Sequence, residues 1–388
     1  MRRRKIYARV GCLSLWWTRL LELHSHLSHA SMKRSLLSLP ALLAWLALGS
    51  YLSAAAGAPR GVCRKLPLET AAAQTFHAAW SFDGRELVVV DLSGARLLRY
   101  DRDGHFLGSV MRPGEGDREL SKPTQIHAAR EGWMIQDVGR KWVWVDRQFN
   151  FLRALSTLGP DGRPIVQLVD ESLSGDELAG FGSYRKPDRT WSIAFLRAGL
   201  KPLTVRQVVE EISIETREDT LYGTVGPVVA HLGDQAYFLR FAEPSYILRA
   251  NPKSRLKAFP PGFDRLPALP KSQGPQSSAP RQQALEKSAL PVGLYASEPF
   301  LYLLTRRPGL KGTTWQLHRI DPQRDRLVGS LTLPTTANDL VLAPGPSDWA
   351  ILEKGPIRPD GDQPVTRLLL IPRAWIADSG PAAELTCP

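Results

Sequence analysis

Apolar and polar positions alternate with a period of two along most of the chain beyond residue 70, and Asp and Gly punctuate the alternation at regular distances. Residues 86–110 read ELVVVDLSGARLLRYDRDGHFLGSV, and residues 132–156 read GWMIQDVGRKWVWVDRQFNFLRALS. In each, an apolar strand ends in Asp (Asp91, Asp137), a short turn follows, and a second strand ends in another Asp (Asp101, Asp146). An aromatic strand, from Phe106 or Phe149, closes the unit. The Asp pairs are about 45 residues apart, which is the length of a four-stranded propeller blade. Asp-Gly and Pro-Gly turns recur at 83–84, 103–104, 161–162, 261–262 and 360–361. The nearest approach to helical period, Val205–Ile214 (VRQVVEEISI), is rich enough in β-branched residues to be a strand.

The turns extend the count. Asn251-Pro252 lies 105 residues after Asp146, Asp321-Pro322 follows 70 residues later, and Pro372 comes 51 beyond Asp321. This predicts six units: 70–111, 120–158, 165–212, 224–262, 290–334 and 336–376. The excess in the 70-residue step is a Pro-, Ser- and Gln-rich insert, predicted as a flexible loop over 265–290. Units of this kind cannot bury both faces alone, and a closed ring protects their edges. The predicted fold is therefore all-β: a six-bladed β-propeller of four-stranded antiparallel blades over 57–388. Trp80, Trp133, Trp142, Trp144, Trp191, Trp315, Trp349 and Trp375 are spread through the units, as blade-to-blade packing requires.

The N-terminus breaks the pattern. Met32-Lys33-Arg34 is a positive n-region, Leu36 to Leu52 an apolar h-region, and Ala54-Ala55-Ala56 a cleavage motif. Residues 32–56 thus read as a signal peptide cut after Ala56, which places the mature chain in the periplasm or outside the cell. Kept uncut, the same segment would be a membrane anchor, the one route to a membrane that the sequence offers. Residues 1–31 fall outside this pattern and read as a spurious or disordered extension.

Charge changes little. The formal net charge is +12, but residues 1–56 hold eight basic residues against Glu22 alone, and the remainder carries only +5. No basic run interleaved with aromatics remains, so nucleic acid is not an expected partner. Of three cysteines, Cys12 is in the leader; Cys63 and Cys387 form an even pair, expected as a disulfide joining the two ends of the exported chain.

The stretch Leu87–Leu107, LVVVDLSGARLLRYDRDGHFL, resembles an NHL repeat, and GWMIQDVGRKWVWVDRQFNFL resembles it with Arg140-Lys141 in place. The resemblance covers two repeats well and about four more weakly. It implies an exported bacterial type of six-bladed propeller, with Asp91 and Asp137 as structural residues. The local chemistry of Asp91, Asp101, Asp137, Asp146 and Asp321 likewise suits turns.

Candidate chemistry rests on a second repetition. His77-Ala78-Ala79 and His127-Ala128-Ala129 both precede the second strand of their units, on the innermost strand; His231 and Tyr295 fall in corresponding places of the fourth and fifth units. Three neutral imidazoles with an open position would make a zinc site. Among propellers that the resemblance brings in, peptidylglycine alpha-amidating lyase holds axial zinc through histidines, and paraoxonase-like lactonases hold calcium through carboxylates. The plainer alternative is that His77, His127 and His231 pack between blades, with Tyr295 lining the channel. Asp170-Glu171 with Asp176-Glu177 reads as a solvated acidic loop, and Glu210-Glu211 as an exposed face. No nucleophile elbow, H-E-x-x-H, phosphate loop or C-x-x-C occurs. The leading expectation is a monomeric binding scaffold for a protein, peptide or glycan, with no cofactor. The alternative is a metal-dependent lyase or lactonase with a single divalent zinc or calcium.

Overall fold

The computed structural model describes residues 72–378 except 117, 138–140, 160, 213–225, 242–243, 266–283, 285–286 and 359–361, together with the backbone of 64–66 and 383–384. Met1–Pro59 and Arg60–Pro388 separate into two units, and every described residue belongs to the second. The signal peptide, the N-terminal extension and most of the insert at 265–290 lie outside the described residues.

The second unit is a six-bladed β-propeller. Blade 1 comprises Ala78–Trp80, Glu86–Asp91, Arg96–Asp101 and Phe106–Val110. Blade 2 comprises Pro123–Ala129, Gly132–Asp137, Lys141–Asp146 and Phe151–Ser156. Blade 3 has longer strands: Val166–Ser174, Glu177–Arg185, Trp191–Leu200 and Leu203–Ile212. Blade 4 comprises Val229–Leu232, Gln235–Arg240, Tyr246–Arg249 and Ser254–Arg255. Blade 5 comprises Leu290–Ser297, Phe300–Gly309, Gly312–Asp321 and Arg326–Thr332. Blade 6 supplies Asp339–Ala343, Asp348–Lys354 and Val365–Pro372. Within each blade neighbouring strands pair antiparallel in chain order. The first strands of successive blades lie against one another, so they form the inner ring.

The sixth unit is not self-contained. Its outermost strand is Arg64–Leu66, from the start of the unit, paired antiparallel with Val365–Pro372 (Arg64 opposite Leu370, Leu66 opposite Leu368). The ring is closed by backbone pairing between its first and last segments. Ala383–Glu384 adds a parallel strand to the outer edge of blade 5. The expected disulfide is corrected: no cysteine pair comes near bonding distance, and there is none among the described residues; Cys63 and Cys387 themselves lie outside them.

Burial follows position. Middle strands are covered on both faces by neighbouring blades and are buried almost throughout, as in Gly132–Asp137 and Asp348–Lys354. Outermost strands have a solvated face and alternate, as in Phe106–Val110 and Phe151–Ser156. Leu203–Ile212, the segment nearest to helical period, is such a strand. Trp142, Trp315 and Trp349 are fully buried between blades. Each ring removes roughly 200 Å² from water, of order 5 kcal/mol as an upper estimate. Trp191 departs from this: it is 46% exposed at the end of a hairpin.

The turn aspartates accept backbone N–H groups. Asp91 accepts from Ala73 and Gln74 and pairs with Arg96 at 2.9 Å. Asp137 accepts from Ser121 and Lys122. Asp101, Asp146 and Asp321 each accept from two N–H groups of the turn that follows.

Candidate functional site

The first strands of blades 1, 2 and 3 bring a polar cluster together near the axis. The His77 and His127 rings lie 5.4 Å apart, tilted by 49°. The backbone N–H of Ile126 donates to His77 Nδ1 at 3.4 Å, tying blade 1 to blade 2. His127 Nε2 faces Glu171 Oε1 of blade 3 at 3.7 Å, beyond hydrogen-bond length, and is buried with no partner. Both ring nitrogens of His231 are also buried without a partner. Burial holds the His77 and His231 imidazoles at a pKa of about 4. It holds His127 well below the usual range, with the neighbouring His77 and His231 adding to the effect. All three are therefore neutral at pH 7.

Asp170 and Glu171 are the residues that sequence reading misplaced. The acidic loop predicted there is a buried pair on the innermost strand of blade 3. Alternation should send consecutive side chains to opposite faces. Here both sides of the strand are covered, Glu171 by blade 2 and Asp170 by the approach to blade 4, so both acids are buried, while a β-bulge between Leu168 and Asp170 leaves Val169 41% exposed. A signal for this exists in the next strand, ELAGFGSYR. A Cβ at Gly180 would lie 2.6 Å from the Leu168 side chain, and one at Gly182 2.2 Å from Gln167 O. Two glycines inside a strand mark such a close approach.

Each acid ties blades together. Glu171 accepts from Trp142 Nε1 at 2.8 Å and from Gln136 Nε2 at 3.2 Å, both from blade 2. Asp170 accepts from the backbone N–H of Val228 and Val229, leading into blade 4, at 2.6 and 2.8 Å, and from Gln125 Nε2 at 2.9 Å. Burial nevertheless outweighs these donors and raises Asp170 to about 7. Burial raises Glu171 to about 8, and the adjacent Asp170 pushes in the same direction. From blade 5 Tyr295 is buried, its ring 6.2 Å from Trp349, and burial raises its phenol strongly, with Asp170 pushing in the same direction.

His77 and His127 thus come together and His231 bears on them electrostatically. Yet no group of three or more His, Cys, Asp or Glu among the described residues is arranged to hold a metal ion. The arrangement joins blades 1 to 4 through side chains aimed at neighbouring strands. Three clefts lie elsewhere. Two, of ≈ 270 and ≈ 260 Å³, flank Phe82 on the first hairpin of blade 1 and share Ser81 with it. The third, of ≈ 700 Å³, runs along the outer part of blade 3. None is lined by His77, His127, His231, Asp170 or Glu171.

No protein-family model and no curated protein matches the sequence. Solved structures do match the fold. A protein of the exported class from Bacteroides fragilis is 12% identical, with 81% of this chain and 95% of that one covered, at a TM-score of 0.50. A gluconolactonase from Xanthomonas campestris is 15% identical, with 82% and 92% covered, at a TM-score of 0.47. At these identities the likeness is one of fold.

Proposed function

We propose that this propeller is an exported binding module of the NHL-like type, which takes a protein, peptide or glycan on its outer clefts and uses its axis for rigidity. The observation that carries this reading is the division of labour between axis and surface. The axial carboxyls accept donors from neighbouring blades and open onto none of the three clefts. The clefts themselves are lined by hairpin turns and strand ends, and in blade 3 by the outermost strand, and include Phe82, which is 64% exposed. Exposed aromatics beside polar clefts are common features of binding faces.

A second reading, a metal-dependent lyase or lactonase, is favoured by one observation: His127 Nε2 and both nitrogens of His231 are buried without partners. The described side chains do not fit a three-ligand ion, so no catalytic step is derived. Elemental analysis of the mature protein separates the readings. The binding module is expected to carry no stoichiometric metal after purification without chelator. Stoichiometric zinc or calcium that disappears in His127→Ala would overturn it in favour of the enzyme.

A further inference from the structure

Blade 3 is longer than the blade before it. Its four strands run nine or ten residues, against six or seven in blade 2. Its inner part packs on Trp142 and Trp144 of blade 2 through Leu178, Tyr184 and Leu203. The overhang leaves a cleft of ≈ 700 Å³. This lies within the range of small-molecule sites, roughly 300–1,000 Å³. Its apolar wall includes Ile165, Leu203 and Val205, and its polar wall Arg185, Lys186, Arg189 and Arg206, with no carboxylate in the lining.

Three of the four cations already have partners. Arg185 meets Asp161 at 2.6 Å, Lys186 meets Glu211 at 2.9 Å, and Arg206 lies 3.7 Å from Glu177. Arg189 has no ion pair or side-chain hydrogen bond among the described residues. It also stands where an arginine is costly, at φ +69° in the tip of the second hairpin. That left-handed conformation favours glycine. The other four non-glycine residues at positive φ are accounted for by their contacts: Phe149 stacks on Trp133, Asp325 accepts from Lys257 and Ala258, Ala95 is buried, and Met111 packs on the core. The φ of Arg189 is likewise set by its turn, which is closed by Lys186 N–H to Thr190 O and Arg189 N–H to Lys186 O, but its guanidinium, alone among the four cations lining the cleft, is unpartnered among the described residues.

We infer that the blade 3 cleft binds a small anionic amphiphile, with its carboxylate or phosphate head on Arg189 and its apolar body along Leu203 and Val205. The guanidinium fork suits either head in bidentate fashion. This goes beyond the binding-module reading and assigns a small-molecule ligand to one of its clefts.

The test uses calorimetric titration of the mature protein with dodecanoate and dodecyl phosphate below their micellar concentrations, beside dodecyltrimethylammonium. One of the two anions is expected to bind at one per chain and the cationic surfactant at least tenfold more weakly; whichever anion binds identifies the head. Arg189→Gly is expected to weaken binding at least tenfold while leaving the melting temperature unchanged or raised, because glycine relieves the backbone. Equal binding to Arg189→Gly and wild type, equal binding of the cationic surfactant, or no binding of either anion would overturn the cleft assignment. None of those outcomes touches the wider binding reading, which falls instead to stoichiometric metal lost in His127→Ala.

Discussion

Glu171 concentrates the energetics of the axis in one side chain. It is buried, is raised to about 8 by that burial, and accepts from two blade 2 donors. Replacing it by alanine leaves the Trp142 donor buried and unpaired, at about 1–3 kcal/mol, and adds the cost of the cavity it vacates, while Gln136 Nε2 keeps its bond to Leu168 O. Glu171→Ala should therefore lower stability by roughly 2–5 kcal/mol in denaturant titration. Glu171→Gln keeps an acceptor of the same shape without a charge to desolvate, so its melting temperature at pH 8 should equal or exceed the wild type's. A Gln variant as unstable as the Ala variant would show that the carboxylate charge itself is needed. The pair Asp170-Glu171 also marks where reading a sequence stops short. Two adjacent acids look solvated because strand alternation sends them to opposite faces, and only the packing of a blade on each face buries both. The histidine repetition was legible because its cause is local: His77 and His127 occupy one place in two copies of one unit.

At the scale of elements, the decisive feature is the strand Arg64–Leu66. Without it, Val365–Pro372 would be an open edge bearing the buried residues Leu368, Leu369 and Leu370. Such an edge is a template for aggregation. Deleting residues 60–67 should lower the melting temperature by several degrees and produce oligomers in size-exclusion chromatography. A monomer with an unchanged melt would mean that three strands suffice for blade 6. Counting turns located this blade but gave it four strands of its own, since nothing in a three-residue run, RKL, announces a partner 300 residues away. The edge of blade 3 is protected differently. Its outermost strand carries two register shifts against Trp191–Leu200, which disturb the pairing pattern along that edge.

For the whole molecule, buried titratable groups predict how stability depends on pH. His77, His231 and His318 of blade 5 are held near 4 by burial and His127 is held well below the usual range, while Asp170 and Glu171 are held near 7 and 8. Between about pH 4.5 and 6.5 the unfolded chain binds up to four imidazole protons that the fold refuses, and the fold binds two carboxyl protons that the unfolded chain releases. The difference favours the unfolded chain, so stability rises with pH. Above about 6.5 the carboxyl difference outweighs the imidazoles, and above about 7.5 the imidazoles are neutral in both states and only the carboxyls differ. Stability then falls as pH rises through their folded values. Thermal melts from pH 4.5 to 9 should peak near 6.5, and in Glu171→Gln most of the decline on the alkaline side should disappear. A plateau from 6.5 to 9 would show that the two acids are ionised in the fold. By itself the sequence determined the repeat, the number of blades and the residues that turn between strands, because these follow from period-two patterning and turn chemistry within a few residues. Only the tertiary structure decided how the ring closes, which way Asp170 and Glu171 face, and where a cleft remains. Each of those depends on how segments far apart in the chain meet, through a borrowed strand, blades packed on both faces of an inner strand and blades of unequal length.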